Sequence, residues 1–163
     1  ILFAAVRHAA LRLEVAQQHV LRALFEAEET GHADSEKRVL KADIQKERRW
    51  SGAWLAFVVQ TLALRRGLTR QGPYLHLTEG GRLEAQRVTR NHRLWEQFLV
   101  AYADLAPSHV DRSADFVEHV LSPEMVAELE RQLAEIGRLP APKMPVSVHP
   151  LGGRAQEPEG AAT

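Results

Sequence analysis

The chain has 163 residues, of which 45% are hydrophobic, and its 21 basic side chains balance its 21 acidic ones. This composition is ordinary for a globular protein and allows one domain, or two small ones that share a core. Cysteine is absent, which excludes disulfide bonds and thiolate zinc sites, and no apolar run approaches the ~20 residues that a membrane-spanning helix needs.

The first half of the sequence opens with two predicted helices. The first extends from about residue 9 to 29, where apolar side chains recur at helical spacing: Leu13, Val20, Leu21, Leu24 and Phe25. Gly31 follows its acidic end and is a usual helix stop. A second, basic helix is predicted over residues 35–48.

A third helix and a hairpin complete this half. Ser51 is placed to cap a helix over residues 53–66, which Gly67 ends. A Gly-Pro turn between two short apolar runs predicts a hairpin over residues 68–77. Three helices followed by a hairpin favour a winged helix-turn-helix over residues 9–77, with the hairpin as its wing.

The second half of the sequence is predicted to be helical. Thr78 can cap a long helix that ends near Tyr102 and presents apolar side chains: Leu83, Val88, Leu94, Trp95, Phe98 and Leu99. Two more helices follow, one over 112–121 and one that Ser122 caps and Gly137 ends, with an apolar stripe of Val126, Leu129, Leu133 and Ile136. Residues 138–163 are rich in Pro and Gly, which predicts an extended or disordered tail.

Acids and imidazoles recur at helical spacing on two of these helices. Asp115, Glu118 and His119 stand at i, i+3 and i+4, and His92 and Glu96 form a second i, i+4 pair. Two such groups on neighbouring helices would form a site of nitrogen and oxygen ligands, which favours Mn²⁺ or Fe²⁺ over structural zinc. Taken alone, either pair is more often a solvated surface pair.

The sequence around these residues resembles the diphtheria toxin repressor family, also known as the manganese transport regulator or iron-dependent repressor family. The similarity extends from about residue 18 to 136 and is carried by three stretches: Leu77–Gly81, Arg90–Leu99 and Ala114–Ser122. It implies a mainly α fold, in which a winged helix precedes a helical metal-binding and dimerisation domain, here residues 78–137. It also implies a homodimer that binds Mn²⁺, Fe²⁺ or another divalent transition metal between the two domains.

The resemblance assigns ligands position by position. Four residues match metal-site positions of the family: His92, Glu96, Glu118 and His119. Asp115 stands where iron-responsive members have Cys and manganese-responsive members have Glu, so its carboxylate resembles the manganese type. His19 falls where the family places a Met or Asp ligand, although a lone histidine on a helix is more often packed or exposed.

Two positions depart from the family pattern. Arg22 stands where manganese-responsive members have an acidic ligand, and a fixed cation there would repel a metal ion. Asp111 replaces a histidine of the iron-type second site, or it caps its helix instead. We therefore expect one mononuclear site, with the second site degraded.

The third helix is poorly equipped to read DNA bases. From Ser51 to Leu64 it has no charged side chain and few hydrogen-bond donors. Its apolar excess predicts burial on more than one side, against the core or a partner surface. Basic residues lie in its flanks, and residues 37–70 suit either nucleic acid, an anionic membrane face or a solvated surface. If the protein is a DNA-binding regulator, the expected contacts are Arg48, Arg49, Ser51 and Arg70.

The stretches Arg90–Glu96 and Tyr102–Val110 look most like versions of this module that are fused behind the membrane domain of ABC-type manganese, zinc or iron permeases. This resemblance implies a cytoplasmic metal-sensing domain, tethered to the inner membrane, with the membrane domain and an ABC ATPase as partners. Residues 1–8 would then be the end of an upstream membrane segment.

Two alternatives stay open at this point. One is a stand-alone, metal-dependent repressor that binds operator DNA, and the other is a structural dimerisation module without metal affinity. An enzyme is not expected, because the sequence has no phosphate-binding loop, no nucleophile with an evident base and no His-Glu-x-x-His arrangement.

Overall fold

The computed structural model describes residues 2–102 and 121–137. Within these ranges the chain forms five helices and a three-stranded antiparallel sheet, which confirms the mainly helical winged-helix fold. The elements in chain order are α1 (Leu2–Glu29), β1 (Val39–Leu40), α2 (Lys41–Arg48), α3 (Gly52–Leu64), β2 (Leu68–Gln71), β3 (Tyr74–Leu77), α4 (Glu79–Tyr102) and α5 (Pro123–Glu135). The helix predicted over residues 112–121, except Leu121, and the predicted tail lie outside the described residues.

Helix α1 begins at Leu2, so residues 2–8 form its first turns. That these residues end an upstream membrane segment stays a prediction. The apolar stripe predicted from its spacing is correct, since Val20, Leu21, Leu24 and Phe25 are all buried. These side chains pack with α3 and the sheet into the main hydrophobic core. Within the described ranges, none of the helices is both long and apolar enough to cross a bilayer.

Helix α2 begins at Lys41, so the prediction of a helix from residue 35 is wrong at this end. The carboxylate of Asp34 accepts hydrogen bonds from the backbone N–H groups of Glu36 and Arg38, both at 2.9 Å. The N–H of Arg38 also holds the pKa of Asp34 below its usual value. A side chain that captures backbone donors in this way favours a turn over a helix.

The short strand β1 is an element that the sequence did not predict. It pairs with β3, with Val39 opposite Leu75, and β2 pairs with the other edge of β3. The β2–β3 hairpin turns at Gly72, whose φ of +59° suits glycine, and it forms the predicted wing. Two residues are too few to show an alternating pattern, which is why β1 escaped prediction.

Helix α3 confirms its predicted cap, because Ser51 Oγ accepts a hydrogen bond of 3.2 Å from the backbone N–H of Trp54. One face of α3 is buried against α1 and β2 through Leu55, Val58, Val59 and Leu62. The opposite face is exposed, with Phe57 50% and Leu64 74% accessible. The core therefore buries one side of α3 as predicted, and burial of the outward face against a partner surface stays a prediction.

Helix α4 confirms the predicted cap by Thr78, whose Oγ1 accepts a hydrogen bond of 3.0 Å from the backbone N–H of Gly81. Gly81 is packed closely, because a Cβ atom built on it would lie 1.7 Å from the carbonyl oxygen of Gly67. That oxygen accepts a hydrogen bond of 3.2 Å from the backbone N–H of Thr78. The start of α4 thus packs against the backbone of Gly67, which follows α3, with no space for a side chain at position 81.

Helix α5 packs against α4 and is capped by Ser122, whose Oγ accepts a hydrogen bond of 3.3 Å from the backbone N–H of Met125. Leu129 and Leu133 of its predicted stripe are buried, whereas Ile136 is 45% exposed. Leu83 of α4 is likewise 65% exposed, against prediction. Leu83 and Ile136 each lie near the end of a helix. The apolar spacing continues there although the helix no longer packs against its neighbour.

Candidate metal centre

The two predicted ligands of α4 lie in a buried contact between α4 and α1. His92 is 2% exposed and Glu96 is fully buried, and His92 Nε2 lies 3.2 Å from Glu96 Oε1. The i, i+4 spacing predicted this pairing. Their burial excludes the alternative in which this pair is a solvated surface pair, and it makes both side chains part of the interior of the protein.

Arg22 of α1 enters this contact from the opposite helix. It is 3% exposed, and its Nη1 atom is hydrogen-bonded to His92 Nδ1. Its Nε atom lies 3.9 Å from Glu26 Oε2, one turn further along α1. The sequence predicted that a cation at position 22 would disfavour a metal ion, and the structure places that cation directly on one of the predicted ligands.

A second guanidinium continues the network along the two helices. Arg93 of α4 is hydrogen-bonded to Glu29 of α1, and its Nη2 atom lies 3.9 Å from Glu26 Oε1. Glu26 is therefore close to both arginines. The sequence reasoning missed Glu26, Glu29 and Arg93, although Glu26 stands four residues after Arg22 and Arg93 directly follows His92.

His19 lies on α1 one turn before Arg22 and is 8% exposed. Its ring stands edge-on to the ring of Trp50, with the centroids 6.4 Å apart and the planes at 69°. This is the packed arrangement that the sequence left open for a lone histidine on a helix. A role for His19 as a ligand stays a prediction.

The other three predicted ligands, Asp115, Glu118 and His119, lie outside the described residues, as does Asp111. They belong to the segment 103–120, between the end of α4 and the start of α5. Over residues 2–102 and 121–137, no group of three or more His, Asp or Glu side chains is arranged to hold a metal ion. A metal site with three or more such ligands would therefore need donors from outside the described residues.

Three of the four residues expected to contact DNA are exposed at the surface. Arg49, Ser51 and Arg70 are exposed, and Arg48 is the last residue of α2. Ser51 uses its side chain to cap α3. The outward face of α3 between them consists of small or apolar residues and a single amide: Ala53, Ala56, Phe57, Gln60 and Leu64.

Residues 78–143 match the family model of the iron dependent repressor, metal binding and dimerisation domain. The family that the sequence motifs indicated is thereby confirmed for this part of the chain. The match begins at the cap of α4 and includes all five of the predicted ligands that follow α3.

Two solved structures share the fold. The manganese regulator SloR superposes with a TM-score of 0.63 and 23% identity, over 72% of this chain and 53% of that protein. A manganese-dependent transcriptional repressor in complex with manganese superposes with a TM-score of 0.61 and 25% identity, over 71% of this chain and 51% of the other. The chain thus corresponds to about half of each regulator.

A further relative is a protein of Chlamydia trachomatis named "Probable metal transport system membrane protein". It is 37% identical to this chain over 59 residues, which are 36% of this chain and 13% of the relative. The chain therefore spans only a small part of that protein's length.

Proposed function

Because residues 78–143 belong to the iron dependent repressor family of metal-binding and dimerisation domains, we propose that this chain is the metal-sensing regulatory domain of an ABC-type manganese or iron transport permease. The observation that carries the transport assignment is the 37% identity to the chlamydial metal transport membrane protein. A regulatory function fits the other relatives as well, since by name they are a regulator and a repressor.

The proposed ligands are the acids and imidazoles of two segments. Asp115, Glu118 and His119 supply the donors of the segment 103–120, and His19, His92 and Glu96 are the candidates on α1 and α4. Carboxylate and imidazole donors without sulfur suit Mn²⁺ or Fe²⁺, although other divalent transition metals use the same donors. A bound ion would link the segment 103–120 to the helical interior.

Imidazole and carboxylate donors are suited to Mn²⁺ or Fe²⁺. The surroundings of His92 are less suited to binding a cation. Glu96 and His92 are buried and adjacent, as ligands in a protein interior are. Arg22, however, brings a fixed positive charge into the same contact. A metal cation bound to His92 would lie next to this guanidinium, and two positive charges repel strongly in a buried site. This supports one ion per chain, held mainly by the segment 103–120.

The contact between α1 and α4 provides the route for regulation. Helix α1 belongs to the winged-helix unit and α4 to the helical unit, so any change in their packing alters how the two units sit together. Metal can act as a switch only if the two arrangements bind it with different affinity. In the proposed function, the partners that respond are the membrane domain and the ABC ATPase at the cytoplasmic face of the inner membrane. A second copy of the chain is the proposed partner at the dimerisation domain.

Calorimetric titration with Mn²⁺ and Fe²⁺ tests this function. We expect saturable binding of about one ion per chain, and a loss of affinity of at least about tenfold in His119→Ala, because removing a ligand costs at least as much as removing a residue that supports one. His76→Ala is the matched control, since it removes a histidine from strand β3 of the wing. Absence of saturable binding, or equal affinity in His119→Ala, would refute metal sensing.

A free-standing repressor is the second candidate, and the winged-helix fold with exposed Arg49 and Arg70 favours it. We expect a mobility-shift assay, run on duplex DNA from upstream of its own operon, to show only non-specific binding in the range of about 10⁻⁴–10⁻⁶ M. The reason is that the outward face of α3 offers Gln60 as its one amide and no charged side chain. Metal-dependent binding about a thousandfold tighter than to random DNA, abolished in Arg49→Ala, would favour the repressor instead.

A further inference from the structure

We infer that Arg22 is a built-in cation that occupies the lone pair of His92 and thereby keeps metal ions off this imidazole. The inference deepens the proposed function, because it determines how many metal ions the centre binds. In that respect it rests on the proposed function. Its basis is the hydrogen bond between Arg22 Nη1 and His92 Nδ1, two residues that are 3% and 2% exposed.

The direction of this hydrogen bond follows from the chemistry of the two groups. A guanidinium has five N–H donors and no acceptor, and it stays protonated in proteins. His92 Nδ1 must therefore accept. A neutral imidazole has only one nitrogen with a free lone pair, so its other nitrogen, Nε2, carries the hydrogen and donates to Glu96 Oε1 at 3.2 Å.

This arrangement excludes a metal ion from either ring nitrogen. At Nδ1 the lone pair is already used by Arg22, and at Nε2 the position is taken by a hydrogen that Glu96 accepts. Metal ions bind imidazole through a lone pair, and the other nitrogen then carries the hydrogen and acts as a donor. Since Arg22 can only donate, it would have to leave His92 before an ion could bind there.

The surroundings stabilise Arg22 in this position. Glu26 Oε2 lies 3.9 Å from its Nε atom, and Glu26 is itself 7% exposed, so the guanidinium has an anionic neighbour in a site that excludes water. Arg93 lies on the far side of Glu26, with Nη2 at 3.9 Å from Oε1. If Arg22 moved away, Glu26 would lose a cationic neighbour and His92 would lose a hydrogen-bond donor. Both losses cost free energy in a buried site.

Two consequences follow. The first is that His92 is removed from the candidate ligands named above, which leaves the segment 103–120 as the main source of ligands. In addition, the contact between α1 and α4 is held in part by a cation of the protein itself, so this part of the packing does not need metal. Arg22 is thus a specificity-determining residue that limits the centre to one ion.

The hydrogen positions on His92 provide a test that needs no metal. In long-range ¹H–¹⁵N spectra of the metal-free 163-residue chain at neutral pH, we expect His92 to be neutral with its hydrogen on Nε2. Arg22→Met removes the donor but keeps an unbranched chain, and we expect it to shift the Nδ1 resonance of His92. A wild-type His92 with its hydrogen on Nδ1, or with hydrogens on both nitrogens, would overturn the inference.

Mn²⁺ titrations of the same variants test the exclusion directly. We expect Arg22→Met to gain one more ion per chain or to bind Mn²⁺ about tenfold more tightly, and we expect His92→Ala in that background to remove the gain. Arg82→Met is the matched control, because Arg82 joins α4 to Glu28 of α1 without contacting His92. An Arg22→Met variant that binds Mn²⁺ as the wild type does would overturn the inference. If neither protein binds Mn²⁺, the proposed function fails, and the spectra of His92 alone decide the role of Arg22.

Discussion

Gly81→Ala is expected to lower the free energy of unfolding by about 3 kcal/mol or more. The added Cβ atom would lie 1.7 Å from the carbonyl oxygen of Gly67, which is backbone and cannot rotate away. That oxygen is also held by the backbone N–H of Thr78 at 3.2 Å. Relief of the overlap would therefore require α4 to move away from the backbone of Gly67. Urea denaturation followed by circular dichroism measures the effect.

Gly80→Ala is the matched control for this variant. Gly80 is the neighbouring residue in the same turn of α4, and a Cβ atom built on it meets nothing within 4 Å. Alanine there is expected to be neutral or to stabilise the helix by up to about 1 kcal/mol. Equal unfolding midpoints for the two variants would show that the start of α4 is not packed as described.

Leu133→Ala is expected to cost about 2–5 kcal/mol, the usual range for emptying a filled interior position. Leu133 is fully buried where α5 packs against α4, and Leu129 is its buried neighbour one turn earlier. These two helices bound the segment 103–120, which carries three of the proposed ligands. We therefore expect Leu133→Ala to weaken Mn²⁺ binding as well as stability.

Ile136→Ala is the control for Leu133→Ala, because Ile136 lies on the same predicted apolar stripe but is 45% exposed. Its replacement is expected to change the free energy of unfolding by about 0.5 kcal/mol or less. Thermal unfolding with and without Mn²⁺ compares the two variants. A larger loss in Ile136→Ala than in Leu133→Ala would mean that the packed face of α5 is assigned incorrectly.

The three helix starts that a Ser or Thr side chain caps were the most predictable part of this fold. Ser51, Thr78 and Ser122 each accept the backbone hydrogen bond expected of a cap. A cap acts over three residues, so the local sequence contains all the information that determines it. The apolar stripe of α1 and the wing hairpin were predictable for the same reason.

Features that depend on distant partners were not predictable. Strand β1 forms because Val39 pairs with Leu75 of β3, which is 36 positions away in the sequence. Helix α2 begins later than predicted because the residues around Asp34 form a turn. The exposure of Leu83 and Ile136 depends on where each helix runs past its neighbours. Spacing alone cannot locate the edge of a packing surface.

The candidate site shows the same division. The contact of His92 with Glu96 was predictable because one helix carries both residues at i, i+4. The sequence also indicated that a cation at position 22 conflicts with a metal ion. The hydrogen bond of Arg22 to His92 was not predictable, since it joins residues 70 positions apart. The network of Glu26, Glu29 and Arg93 likewise depends on how α1 lies against α4.

The outward face of α3 bears on the choice between the two proposed functions. In a DNA-reading winged helix this face carries donors that reach base edges. Here Phe57 and Leu64 are 50% and 74% exposed, and Gln60 is the one amide between them. A face of this kind suits contact with protein better than contact with base edges, which agrees with a domain that regulates a transporter.

Anomalous diffraction at the manganese edge, from crystals of the chain grown with Mn²⁺, locates the ion directly. We expect one peak per chain, with Asp115, Glu118 and His119 among its ligands and with Arg22 still hydrogen-bonded to His92. A map without a peak at these three side chains would contradict the proposed metal centre.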